Sequence, residues 1–290
     1  MSNLNGSQIG IESMKPKKEI KTGSRNVYNL EKPEVKDLFG MANDQEILGF
    51  IKGYAVTPLF LCITGSHMWN LNEPNSDLDI RGVYVKPTEI VLSIHKGSDT
   101  IEACNVMRKD IDIQLYEVEK FFRMLLSHNG NVIEMLLSPT VFFKTLDINW
   151  EELAKKYLTK QLAHYYKGYY HSQRKRAARN RGGKALIYTY REIFQGIYLM
   201  RHGKLVYDFR ELKGYFEQEY KPSKLLDKFM DRETWSIPVP EEEMRKFEAE
   251  WEVLLAIFER EYRTSTLPDT FENYSDLNST LLDIREKFKV

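Results

Sequence analysis

The stretch that decides the fold reads Pro58-Leu59-Phe60-Leu61-Cys62-Ile63-Thr64-Gly65-Ser66, then ten residues, then Asp77-Leu78-Asp79-Ile80-Arg81-Gly82-Val83-Tyr84-Val85. Its first part is a short apolar run stopped by glycine, the pattern of a buried strand. Its second part alternates apolar with polar residues, as a strand with one face in a core must. Asn72, Pro74, Asn75 and Ser76 punctuate a turn between them.

Asp77 and Asp79 are two residues apart, so on a strand both side chains leave the same face, with Cα atoms about 6.5 Å apart. At that span two carboxylates can converge on a hard cation, whose oxygen ligands lie at about 2.1 Å. On a helix the same spacing would turn them away from each other. Left alone the two charges repel, and a bound Mg²⁺ or Mn²⁺ is the natural reason for having both. Gly65 lets the backbone come close to a ligand, and the Ser66 hydroxyl can bond a phosphate oxygen. A chain leaving a strand at that point also exposes N–H groups to an anion. Triphosphate chemistry needs this combination: a held pyrophosphate, a metal and an oriented attacking hydroxyl. A third carboxylate on a neighbouring strand would complete a two-metal site. Asp112, between Ile111 and Ile113, is the candidate; Asp110 has the same parity and stays open as the alternative.

Working outward, 290 residues leave room for about two domains, and 42% apolar with 29% charged residues is the balance of a globular protein. No uninterrupted apolar run approaches the ~20 residues that span a bilayer. Met1 to Thr22 lacks a signal-type apolar core, and two cysteines cannot build a disulfide framework. A cytoplasmic protein with no membrane partner is expected. The net charge is zero, so nucleic acid would have to be held by a local patch. Residues 1–36 are polar and aperiodic and read as a flexible tail. Strands are expected at 58–64, 78–85, 100–103 and 110–115, after a short helix ending near Gly53 and followed by a helix from Tyr116. From Trp150 onward the periodicity is helical, with Gly203 a C-terminal stop.

Gly65-Ser66, Asp77-x-Asp79 and the apolar-flanked Asp112 together resemble the signature of the DNA polymerase beta nucleotidyltransferase superfamily. Ser76-Asp77-Leu78-Asp79-Ile80-Arg81-Gly82-Val83-Tyr84 is similar, more narrowly, to the RNA-ligase-associated nucleotidyltransferases. The likeness covers roughly residues 40 to 205. It departs at Gly130, where that family tends to carry proline, and at His67-Met68-Trp69-Asn70, where it tends to show a small residue and then Tyr-Gly. The fold class expected is α+β: a mixed-sheet, polymerase-beta-like catalytic domain over 37–150, then an all-helical substrate domain over 151–290. The resemblance implies transfer of an NMP from an NTP to a hydroxyl with release of pyrophosphate; the acceptor is expected to be RNA, a tRNA or a broken RNA end, with a small molecule or a protein side chain as the alternative.

In the helical half, Lys184, Tyr188, Arg191 and Gln195 recur at helical spacing opposite an apolar stripe. Relatives hold the triphosphate with basic and hydroxyl groups from such a domain, so Lys184, Tyr188 and Arg191 are the nucleotide-binding candidates. Arg174-Lys175-Arg176, Arg179 and Arg181 form the dense basic patch, with Tyr165, Tyr166, Tyr169 and Tyr170 just upstream. That patch reads either as a solvated helix face or as a nucleic-acid backbone site. Glu134 reads as structural, His164 and His171 lack a metal spacing, and neither Cys62 nor Cys104 has a nucleophile's context. A phosphatase with Asp-x-Asp as nucleophile fits poorly, because its pair should directly follow the first strand. A non-catalytic relative is the other reading, and three carboxylates in place argue against it.

Overall fold

The computed structural model describes residues 37–73, 75–145, 148–220 and 225–288, so the tail expected over 1–36 lies outside the described residues. A small antiparallel pair, β1 (Asp37–Leu38) and β2 (Ala42–Asn43), leads into α1 (Asp44–Lys52). Asn43 starts that helix through a reciprocal cap. Its side chain accepts from the Glu46 N–H while the Glu46 carboxylate accepts from the Asn43 N–H, both at 2.9 Å. Then come β3 (Thr57–Ile63), α2 (Gly65–Met68), β4 (Leu78–Val85), α3 (Thr88–Leu92), β5 (Thr100–Ala103) and β6 (Ile111–Glu117). α4 (Val118–Leu126), α5 (Gly130–Leu136) and β7 (Val141–Lys144) complete this half.

The main sheet runs β5-β6-β4-β3-β7, with β4 and β6 parallel and the other neighbours antiparallel. Alternation along the strands divides the core in two. Leu78, Ile80, Ile111, Ile113 and Leu115 pack on one face with Ile47 and Ile51 of α1. Residues of the opposite parity, Val83, Val85 and Tyr116 among them, join a larger cluster that continues through α4 and α5 into the helices beyond Trp150. Asp79 and Asp112 share that second parity, so the carboxylates stand on the face turned toward the helical half.

That half comprises α6 (Trp150–Lys156), α7 (Leu162–Asn180), α8 (Gly183–His202), α9 (Phe209–Glu219), α10 (Leu225–Lys228), a 3₁₀ turn at Arg232–Ser236, α11 (Glu241–Thr264) and α12 (Ser275–Lys287). The architecture is α+β, as expected. Gly203 ends α8 in the left-handed region at φ +63. One expectation fails here. α8 is not an amphipathic surface helix, because α7, α9 and α11 all pack on it and Thr189, Arg191, Glu192 and Gln195 are buried with its apolar residues. Such polar positions survive inside only with internal partners: the Thr189 hydroxyl, for instance, donates to the Ala185 carbonyl at 2.7 Å.

Gly82 sits where β3 and β4 come closest to the inner core. A Cβ there would lie 2.3 Å from the Phe60 carbonyl oxygen, a backbone atom that cannot swing aside. Gly82→Ala is therefore expected to destabilise the protein by about 3 kcal/mol, read from the midpoint of chemical denaturation.

Candidate active site

The register of β4 and β6 sets Asp79 directly across from Asp112. Asp77 precedes β4 by one residue and is exposed, whereas Asp79 and Asp112 are half-buried. The Leu78 N–H donates to the Asp110 carbonyl at 2.8 Å, extending the pairing to the edge of the site. Asp110 thus stands one step before the strand that carries Asp112. A cavity of about 300 Å³ opens here, lined by Asn75, Asp77, Cys104, Asn105, Asp110 and Asp112.

Gly65 is in the left-handed region at φ +62, and a Cβ on it would meet Asp79 Oδ2 at 2.0 Å. Only a residue without a side chain lets the turn after β3 press against that carboxylate. The Thr64 N–H donates to the Asp79 carbonyl at 2.7 Å, and the Thr140 hydroxyl donates to the Ile63 carbonyl at 2.6 Å, so the turn is tied down on both sides. Ser66 is buried, and its Oγ has no hydrogen-bond partner among the described residues. A buried hydroxyl in that state costs free energy until something bonds it.

Burial pushes the Asp79 carboxyl above the usual carboxylate range, and the charges of Asp77 and Asp112 add to the effect. Arg81 and Lys184 pull the other way, which places the first turn of α8 within electrostatic reach of Asp79. Among the described residues, no three His, Cys, Asp or Glu side chains already converge as a metal cluster. A residue that the sequence reading did not assign to the site holds Asp112: the Asn105 N–H donates to its Oδ1 at 3.1 Å. Asn105 is left-handed at φ 51, and the sign available in the sequence was an asparagine in the turn between two strands.

The helical-half candidates separate. Lys184 is exposed and Tyr188 half-buried, but Arg191 is buried and committed. Its guanidinium pairs with Glu134 at 3.2 Å and with Glu192, and lies 4.0 Å from the Trp69 ring centre. The shared exposed face expected for Lys184, Tyr188 and Arg191 is therefore corrected, because the helix turns from solvent at Lys184 into the core at Arg191, where Glu134, Glu192 and Trp69 enclose the guanidinium. Glu134 also accepts from the Tyr166 hydroxyl at 3.0 Å, in keeping with a structural role. Burial pushes Glu192 up to about 7 against the pull of Arg191. Trp69 stacks on Tyr207, and its carbonyl accepts from the Phe209 N–H at 3.1 Å. The segment after Ser66 is thereby stapled to the start of α9.

In the basic patch, Lys175, Arg176, Arg179 and Arg181 are exposed, but Arg174 pairs with Glu252 at 2.6 Å and leans on the Trp251 ring. Tyr166 and Tyr170 belong to the core, which leaves Tyr169 as the exposed aromatic of that run.

The RNA repair pathway DNA polymerase beta family matches this chain over residues 41–283. The chain belongs to that family. Membership makes it a nucleotidyltransferase, and the match runs through both the sheet and the helices behind it. The chain is similar to the uncharacterized protein MJ0002 of Methanocaldococcus jannaschii, at 28% identity over 220 residues, 73% of this chain and 87% of that protein. It is also similar to the uncharacterized protein YcgL of Bacillus subtilis, at 29% identity over 93 residues, 32% of this chain and 35% of that one. Among the described residues no helix is long and apolar enough to cross a membrane.

A carboxyl raised in the folded state penalises folding above its own pKa, and the penalty fades as pH falls through that value. In chelator, Asp79→Asn should therefore melt at or above the wild-type temperature near pH 7, and the two should converge as the pH is lowered. Arg191→Ala should cost about 3–5 kcal/mol in urea unfolding, since it leaves Glu134 and Glu192 buried without their counter-charge.

Proposed function

We propose that this nucleotidyltransferase moves a nucleoside monophosphate from an NTP to a hydroxyl of RNA, a tRNA or a broken RNA end, and releases pyrophosphate. The observation that carries this reading is the pairing of Asp79 with Asp112 across adjacent parallel strands, with the bare Cα of Gly65 against the Asp79 carboxylate. Three carboxylates, one already pushed toward its neutral form by burial and by the charges of the other two, fit the hard oxygen ligation of a divalent cation. Mg²⁺ or Mn²⁺ held by Asp77, Asp79 and Asp112 would relieve their repulsion and draw charge from the transferring phosphoryl group.

The remaining work falls to the chain itself. The Ser66 hydroxyl, without a partner among the described residues, donates to a phosphate oxygen, and the bare Cα of Gly65 keeps the turn beside Asp79 open to it. Lys184, exposed in the first turn of α8 with its charge bearing on Asp79, offsets triphosphate charge, and the Tyr188 hydroxyl one turn further along adds a donor. Asp112 aligns the acceptor hydroxyl and takes its proton as the oxygen attacks the α-phosphorus and the bond to pyrophosphate breaks. Arg191 acts at one remove: it holds Trp69, and through it the segment following Ser66. Lys175, Arg176, Arg179 and Arg181 lie just before Lys184 along the chain and offer the acceptor's phosphates a cationic path toward the site.

The test is incubation with each NTP labelled at the α-phosphate, Mg²⁺ and total cellular RNA, beside Asp77→Asn and Asp79→Asn. Label should enter RNA with the wild type and fall on the order of a hundred-fold or more in both variants. Label on protein would replace the RNA acceptor with a polypeptide, and equal transfer by the variants would remove the carboxylates from the mechanism.

A further inference from the structure

Arg81 takes no part in the chemistry proposed above. It lies on β4 two positions after Asp79, so both side chains leave the same face of the sheet, with Cα atoms about 6.5 Å apart. The register sets Arg81 in one transverse row of that face, between Cys62 of β3 and Gln114 of β6, with Glu102 of β5 beyond Gln114. The row of Asp79 and Asp112 is the next one toward the cavity.

The polar groups around Arg81 are committed elsewhere. The Gln114 amide donates to Glu102 Oε1 at 2.8 Å, and its carbonyl oxygen accepts from the Tyr116 hydroxyl at 2.6 Å. Asp112 Oδ1 accepts from the Asn105 N–H. Arg81 itself is half-buried and has no hydrogen bond or ion pair among the described residues. Arg174, Arg191, Arg201, Arg260 and Arg285 are also shielded from water, and each of them pairs with a carboxylate. A guanidinium that sheds part of its water without gaining a counter-charge carries a free-energy cost that a bound anion offsets. Its charge also opposes the rise that burial causes in the Asp79 carboxyl.

We propose that Arg81 is a phosphate-binding residue of the nucleotide site, its guanidinium donating to the nucleotide's phosphates from the floor of the sheet, one row behind Asp79. This rests on the metal and nucleotide reading above and adds to it a cation supplied by the sheet itself. The planar fork presents two parallel N–H groups that match two phosphate oxygens, and it keeps its charge at every working pH. Metal-bound phosphates are then held from the carboxylate side by Arg81 and from the helical half by Lys184.

The experiment measures binding of inorganic tripolyphosphate with Mg²⁺ by calorimetry, and of Mn²⁺ alone by electron paramagnetic resonance, to the wild type, Arg81→Gln and Arg81→Lys. Tripolyphosphate carries no base, so base preference does not enter the result. Losing a hydrogen bond to a charged group costs about ten-fold or more in affinity. Arg81→Gln should lose that much for tripolyphosphate and nothing for Mn²⁺. Arg81→Lys, which keeps the charge but not the fork, should fall between. Both variants should melt as the wild type does, because Arg81 leaves no partner behind. The proposal is overturned if Arg81→Gln binds tripolyphosphate as the wild type does, or if it weakens Mn²⁺ by the same factor, which would make Arg81 a support for Asp79. A lowered melting temperature in both variants would assign Arg81 to the fold and overturn it as well. If the wild type binds Mn²⁺ but no tripolyphosphate, the Arg81 assignment falls and the carboxylate site stands. If it binds neither, both fall.

Discussion

The approach of Gly65 to the Asp79 carboxylate is the contact on which the rest of this molecule depends. It requires a turn in the left-handed region, a strand end held by hydrogen bonds from Thr64 and Thr140, and a β4 register that presents Asp79 at the right height. It also requires β3 and β4 to lie close, which Gly82 permits by having no side chain on the crowded face. Polar and apolar requirements meet in one strand. Leu78 and Ile80 fix β4 to the inner core, and the same alternation leaves Asp79 no choice of face.

A second constraint lies behind the first. Arg191, Glu134 and Glu192 form a buried charged group joining α5 to α8, and Trp69 is pressed between Arg191 and Tyr207. Ion pairs so placed return little net stability, because desolvation consumes most of the attraction. Their effect is directional. Once Arg191 is inside, a misplaced Glu134 would leave a naked charge, so the two halves of the chain have one acceptable docking. The segment following Ser66 inherits that precision.

Much of this was legible in the residues. The order of β3 to β6, the Gly-Ser turn, the Asp-x-Asp pair and the parity of Asp112 all follow from local alternation and spacing, which sequence carries directly. β1, β2 and β7 were not: the first two are only two residues long, and Val141-Phe142-Phe143 is an unbroken apolar run with no alternation to read. The burial of Arg191 escaped for another reason. A charged residue at helical spacing reads as a solvent face, and only the packing of α7, α9 and α11 around α8 turns that face inward. Arg174 escaped likewise, because Glu252, its partner, lies 78 positions away in sequence. What lies between distant segments is invisible to periodicity. The hold of Asn105 on Asp112 is a milder case: an asparagine between two expected strands signals a turn, and the direction of its N–H is not part of that signal.

The larger core cluster runs without a break from the sheet through α4 and α5 into α8 and α11. The face of the sheet that carries Asp79 and Asp112 therefore shares its core with the helices behind it. A chain cut near residue 150 would bare Cys62, Val83 and Val85 to water together with the apolar sides of α4 and α5, and would strand Glu134 without its guanidinium. Substitutions on the surface and in the loops leave that shared core intact. Recombining one protein's sheet with another's helices would break the seam on which both depend.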